Sequence, residues 1–231
     1  MFVFKNQFST DYNVYELNDF PIPVSTPRLT QFTIPGRHGK LTIEDGGYDG
    51  SEISATVVIK DELMEGRLDE ISTWLSGSGK LEISGRRDRY YKARVSNLVP
   101  IEQFIKNEVY QFELAFDCEP FGYLYSGDCA VYVSRNSEIY NEGNYESEPI
   151  FEVTGSGDCE LYVNNTRIKL KNIKGKVIID SSLLICTDSN GVNLGDKMEG
   201  DYPILKTGMN FINYTSGISE VILYPRWRCL N

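Results

Sequence analysis

The sequence predicts a mainly β protein with a single α-helix. Three observations carry this: segments that alternate apolar and polar residues with a period of two, one window with helical periodicity, and a carboxyl-terminal half of short strand patterns punctuated by glycine and asparagine. A chain of 231 residues is long enough for one large all-β domain or two small ones, and at either size it buries a core without covalent staples.

The strands are legible from alternation. In SEISATVVIK the residues Ile53, Ala55, Val57 and Ile59 share one face, and in YYKARVS Tyr91, Ala93 and Val95 do. In EVYQFELAFDC, Tyr110, Phe112, Leu114 and Phe116 fall on one side and Gln111 and Glu113 on the other, the pattern of a half-buried antiparallel strand. Each such face requires a second layer to cover it.

Helical spacing occurs over Glu62 to Leu75, where Met64, Leu68, Ile71 and Leu75 recur at i, i+4, i+7 and i+11. Asp61 is the expected N-cap, and Gly77 and Gly79 are expected to end the helix. After the strongest strand, CEPFGYLYSGD interrupts periodicity with Pro120, Gly122 and Gly127, which places the domain boundary there, between residues 127 and 128. Beyond it, Gly155-Ser156-Gly157, Asn164-Asn165, Asn190-Gly191 and Gly217 separate short strands at the spacing of a β-sandwich. PIFEVTGSGDCELYVNN is the best hairpin candidate, with Gly-Ser-Gly as its turn.

GRHGKLTIEDGGYDG, from Gly36 to Gly50, is glycine-rich at both ends around a short strand, KLTIE. It reads as a projecting hairpin or arm, with a plain surface loop as the alternative. As an arm it makes Gly36, Arg37, His38, Gly39, Lys40 and Tyr48 the candidate subunit-interface residues.

Composition narrows the function. Net charge is −10 and the pI near 4.7, whereas a nucleic-acid groove needs clustered cations to displace the counterions held by phosphates. The same sign keeps a polyanion from sticking to a passage it must slide through. Five cysteines, Cys118, Cys129, Cys159, Cys186 and Cys229, are scattered without a C-x-x-C pair, and the chain has one histidine; they read as buried thiols in a reducing compartment. The amino terminus lacks a signal-peptide pattern and no run of about 18 apolar residues exists, so folding in a cytosol without membrane insertion is expected.

No catalytic or metal constellation emerges. A Ser-His-Asp or Cys-His catalyst would have to use His38, flanked by Arg37 and Gly39 in the arm, where neither an orienting partner nor a dry pocket is in prospect. GSGK at Gly77 to Lys80 fails as a phosphate loop, since Trp74 stands where a Walker A has its first glycine, Leu81 stands where it has Ser or Thr, and a strand rather than a helix follows. DSNGVNLGD offers Asp188, Asn190, Asn193 and Asp196, but the glycine position and the missing terminal Glu do not fit an EF-hand, so a polar turn is expected. The N-x-T sequons at Asn164 and Asn213 read as chance matches, and the 15 tyrosines read as core and subunit-interface area. No enzyme activity, cofactor or metal is expected.

In chain order, PRLTQFTIPGRHGKLTIEDGGYDG, the IxxWL of Ile71, Trp74 and Leu75, YYKARV, FELAFDCEPFGY at Phe112 to Tyr123, NEGNYESEPIFEV at Asn141 to Val153, IIDSSLLIC, KMEGDYPILKTGMNFI and PRWRCL together resemble the distal tail proteins of siphophages, bacteriophages with long non-contractile tails. The resemblance covers nearly the whole chain. It implies a ring-forming, tail-tube-like β-sheet or split-barrel domain with one helix over 1–127 and a galectin-like β-sandwich over 128–231. It further implies a virion structural protein that forms a homohexameric ring at the distal tail tip, made in the host bacterial cytoplasm.

Such a ring contacts the tail tube protein on one side and a tail-tip hub or tail-associated protein on the other. It often presents receptor-binding proteins, and it lets DNA pass without specific binding. The alternative reading is a galectin-like carbohydrate-binding module for host-surface adhesion. Galectin-type sites use a His, Asn, Arg and Trp set on adjacent strands, whereas the sandwich half here has no His and only Trp227, at its end.

Overall fold

A computed structural model describes residues 1–60, 64–97, 102–105 and 109–231. The fold is mainly β, with the single α-helix Met64–Trp74 among the described residues. Two compact units divide the chain: 1–122 together with 230–231, and 123–229.

The first unit is built on a sheet whose order runs Gln7–Phe8, Val3–Phe4, Ser78–Glu82, Arg89–Val95, Val109–Leu124, Ser51–Lys60, Val14–Glu16. Its centre is the antiparallel pair of Ser51–Lys60 with Val109–Leu124, in unbroken register from Val109 opposite Lys60 to Cys118 opposite Ser51. All four alternating residues Ile53, Ala55, Val57 and Ile59 are buried, as are Phe112, Leu114, Phe116, Tyr91 and Ala93. The period-two reading therefore assigns the correct face, because a one-residue slip would have turned the whole set to solvent.

The helix closes that face. Ile71, Trp74 and Leu75 are buried in the same core as Phe2, Phe4 and Phe116, and the Trp74 indole Nε1 donates to the Phe4 carbonyl at 2.9 Å. Asp61 and Glu62, the expected start of the helix, and the side chains of Met64 and Leu68 lie outside the described residues. The helix stops at Trp74, and Gly77 follows with φ +68, a conformation that costs glycine least. Gly79 is no terminator: it sits within Ser78–Glu82, paired with Ala93. An added Cβ there would come within 2.5 Å of the Lys5 side chain, so its value is close approach rather than turning.

Asn231 belongs to this first unit. Ser25 N–H donates to the Asn231 carbonyl at 2.9 Å and the Asn231 side-chain amide donates to the Tyr91 hydroxyl at 3.0 Å. Pro120 and Gly122 do not interrupt regular structure, as their breaker chemistry suggested, because the strand Val109–Leu124 runs through them.

The second unit is an antiparallel sheet system in which Ile150–Val163 and Thr166–Asp180 form the longest pair, flanked by Ile218–Tyr224 and Ile185–Asp188. Val131–Tyr132 pairs with Ile218–Tyr224, and Ser137–Asn141 with Gly208–Tyr214. Phe151, Val153, Leu161, Ile168, Ile179, Leu205, Ile212 and Leu223 form its core. The hairpin turn is Asn164-Asn165, between paired Val163 and Thr166, with Asn164 at φ +54.

Gly155-Ser156-Gly157 is instead inside a strand. A Cβ on Gly155 would meet the Gly217 carbonyl at 2.7 Å, and Gly157 takes φ +76 beside a register shift before Cys159. The glycines thus mark a bulge and a close backbone approach rather than a chain reversal.

All five cysteines are free thiols. Four are buried as expected; Cys129 is exposed, because it follows the short 3-10 turn Tyr125–Asp128 at the surface. Burial raises the Cys118 thiol to about 12 and that of Cys186 to about 11, so neither supplies a thiolate near neutrality.

Candidate functional site

Among the described residues, Thr26–Thr33 and Lys40–Asp49 pair only with each other, as a two-stranded antiparallel ribbon separate from both larger sheets. This is the arm. It is longer than the sequence predicts: Thr26–Thr33 forms a strand with no counterpart in the expected arm, and KLTIE extends to Asp49. The missed signal was the β-branched and aromatic density of LTQFTI immediately before Pro-Gly, a turn dipeptide.

Local chemistry explains the tip. Arg37 N–H donates to the Ile34 carbonyl at 3.2 Å, closing a β-turn with Pro35 at its second position and Gly36, at φ +81, at its third. That is the type II arrangement, in which proline presets one dihedral and glycine tolerates the other. At the base, Asp45 accepts from Gly47 N–H at 2.8 Å, and Gly46 lies at φ +80 where the register shifts between Pro27 and Leu29. Arg28 donates to Asp49 from Nε at 3.0 Å and from Nη2 at 2.9 Å. That hydrogen bonding, with the charges of Asp49 and Asp45, raises the Arg28 guanidinium above its ordinary pKa.

The two faces differ. Register places Phe32 opposite Leu41 and Thr30 opposite Ile43, so these four share one face; Leu29, Gln31, Thr33, Lys40, Thr42 and Glu44 share the other. Phe32 and Ile43 are each 49% exposed, and Leu29 and Ile34 are exposed as well. An amphipathic ribbon has therefore formed with much of its apolar side exposed.

Of the residues singled out from sequence, Gly36, Arg37, His38, Gly39 and Lys40 lie together at the tip, all exposed. Tyr48 does not join them. It sits at the base, half-buried, with its ring edge-on to Phe121 at 6.4 Å. The residues sequence reasoning missed are Leu29, Phe32, Ile34 and Ile43.

Elsewhere, a second exposed apolar face lies on the second unit, where Tyr140 opposes Met209 and Glu138 opposes Phe211. Tyr140 is 61% and Met209 58% exposed. In DSNGVNLGD one carboxylate oxygen of Asp188 accepts from Asn190 N–H at 2.8 Å and from Val192 N–H at 2.9 Å, so it shapes a turn. Among the described residues no group of three or more His, Cys, Asp or Glu side chains is placed to hold a metal, and no helix is long and apolar enough to cross a membrane.

No protein-family model and no curated protein sequence matches the chain. Solved structures do. The crystal structure of the SPP1 Dit protein, described as a paradigm of hub adsorption apparatus in phages infecting Gram-positive bacteria, superposes with a TM-score of 0.70 over 96% of each chain at 14% identity. The chain has a Dit-like fold. A chain of the phage P2 baseplate, in its activated conformation with Ca, matches this Dit-like fold over 93% of the present chain and 90% of its own, at a TM-score of 0.53 and 11% identity.

Proposed function

We propose that this protein is a structural component of a long non-contractile phage tail, a homohexameric ring at its distal end that joins the tail tube to the tip and host-adsorption apparatus and leaves a channel for DNA. The end-to-end correspondence with a hub protein carries the reading, since it spans both units rather than one widely shared module.

The arm supports the assembly. Head-to-tail contacts close into a ring when their rotation divides a full turn, and a ribbon with an uncovered apolar face and free strand edges suits such a contact. The tail tube protein and a tail-tip hub protein are the partners at the two faces of the ring, with receptor-binding proteins carried by the second unit, which we read as galectin-like. Net charge of −10 per copy repels DNA in transit, and the protein acts by assembly rather than by catalysis.

Native mass spectrometry with negative-stain imaging tests the reading: a six-subunit annulus is expected. Deleting Gly39 to Tyr48 is expected to weaken that species while leaving the subunit folded. A chain that stays monomeric at all concentrations, or turns over a substrate, overturns it.

Carbohydrate binding by the second unit is a second reading, supported by the exposed face of Tyr140, Met209 and Phe211, since sugar rings stack on exposed aromatics. Glycan-array signal that disappears in Tyr140→Ala would favour it; a blank array counts against it.

A further inference from the structure

A ring built head-to-tail needs two different surfaces that complement each other on every copy. Charge along the chain divides in that sense. Residues 20–43 contain Arg28, Arg37 and Lys40 and no Asp or Glu, so this segment carries +3 and the remainder −13, from −10 minus +3. Arg28 is engaged at the base of the arm by Asp49 and Asp45. Arg37 and Lys40, both exposed at the tip, have no ion-pair partner among the described residues. The arm therefore ends in two uncompensated cations on an otherwise acidic molecule.

Three clefts can be compared as receptors for that tip. The cleft of about 700 Å³ beside the arm base is lined by Arg28, Lys80, Lys92 and Arg94 against Asp49, Asp117 and Glu119, an excess of positive charge. A cleft on the second unit balances Asp158 and Glu160 with Lys169 and Lys171, and Glu160 is already bound by Arg167.

The third, of about 490 Å³, lies in the first unit between the 3-10 turn Ser9–Tyr12 and the helix Met64–Trp74. It offers Asp69 and Glu70 against Lys5, whose ammonium donates to the Ser76 carbonyl. Neither carboxylate is ion-paired among the described residues, and both are exposed. On the same wall Tyr12 stacks on Trp74 at 4.4 Å and 7° between planes, and Phe2 stacks on Trp74 at 5.6 Å. Of these three rings only Tyr12 reaches the surface. Two carboxylates beside an aromatic face make a receptor for a guanidinium or ammonium, through charge and cation–π attraction together.

We propose that the arm tip of one copy, through Arg37 and Lys40, docks into the Tyr12–Asp69–Glu70 groove of a second copy. This rests on the ring reading and names the two surfaces that meet in it. The contact fixes the direction of assembly, since arm on arm and groove on groove both oppose like charges. It also makes assembly sensitive to salt, because both partners are exposed and screened beyond about 10 Å at 0.1 M.

Charge exchange in the full chain, read by sedimentation and native mass spectrometry, tests the pairing. R37E/K40E and D69K/E70K are each expected to raise the midpoint concentration of assembly by about tenfold or more at low salt, and by less at high salt. The quadruple variant, with the charges swapped, is expected to recover most of the loss. Should a reversal lower the melting temperature, the neutral pairs R37A/K40A and D69N/E70Q replace it, with smaller losses that must not add when combined. A wild-type hexamer indifferent to both reversals, or a quadruple variant in which the losses add, overturns the pairing and leaves the ring reading standing. A wild-type chain that never assembles overturns both.

Discussion

Phe32 lies directly opposite Leu41 across the arm, and the two share a face with Ile43 on which Phe32 and Ile43 are each 49% exposed. Side chains this apolar stabilise a fold by about 1.5 to 3 kcal/mol each when fully buried. Here that gain is largely unrealised within one chain. Phe32→Ser with Ile43→Ser is therefore expected to leave the melting temperature of the subunit within about 2 °C of wild type while abolishing the oligomer in light scattering. A drop in subunit stability with the oligomer intact would mean the ribbon packs within its own chain.

Gly50 opposes the opposite expectation for a single methyl group. A Cβ there would lie 1.8 Å from the Cys118 carbonyl oxygen, on the backbone of the partner strand beside the Ser51–Cys118 pair. Since backbone cannot move aside as a flexible side chain does, Gly50→Ala is expected to cost about 3 kcal/mol or more in urea unfolding. Gly36→Ala meets nothing within 4 Å and pays only for its φ of +81, about 1 to 2 kcal/mol at the arm tip. Equal costs at the two positions would sink the argument.

Trp74 combines burial, a hydrogen bond to the Phe4 carbonyl and two ring stacks. Trp74→Phe keeps most of the area but leaves that carbonyl without its donor, an expected cost of about 1 to 2 kcal/mol. Trp74→Ala opens a cavity as well and is expected to cost about 3 to 5 kcal/mol. Thermal denaturation of both variants checks the ranking.

Asp180 receives Arg226 through both carboxylate oxygens, at 2.7 and 2.9 Å, with the Ser182 and Leu183 N–H groups on the same side chain. Burial pushes its pKa up, but the Arg226 hydrogen bonds and those backbone N–H groups outweigh it and hold the carboxyl below its usual value. A group depressed in the folded state contributes stability that is complete above its unfolded pKa, about 3.9, and is lost as pH falls through the lower folded value. The second unit is thus expected to lose stability below about pH 4, and Asp180→Asn to flatten that dependence while costing about 2 kcal/mol near neutrality. An unchanged acid profile in the variant would show that other carboxylates govern it.

Alternation located Ser51–Lys60, Arg89–Val95 and Val109–Leu124 because each is long and buried on one face, as with Ile53 through Ile59 and Phe112 through Phe116, whereas Val3–Phe4, Gln7–Phe8 and Val14–Glu16 are too short to show a period. It failed where glycine had two meanings. Gly155-Ser156-Gly157 reads as a turn by composition, yet the close passage of Gly217 makes it strand interior. The arm was half legible: glycines at both ends of Gly36–Gly50 marked it, but Thr26–Thr33 carries no clean alternation because neither face is buried. The Tyr12–Asp69–Glu70 groove was not legible at all, since its parts lie more than fifty positions apart.

What the sequence determined alone was local: the period of the strands over Ile53–Ile59, Tyr91–Val95 and Tyr110–Phe116, the helix, the glycine-rich ends of Gly36–Gly50 and the net charge of −10. Those follow from side-chain size, branching, backbone freedom and formal charge, all properties of neighbouring residues. The tertiary structure decided that Thr26–Thr33 and Lys40–Asp49 would pair with each other and leave Phe32 uncovered, and that Asn231 would return to Tyr91 and Ser25. Those are choices among competing long-range partners, settled by which faces the whole chain can bury at once.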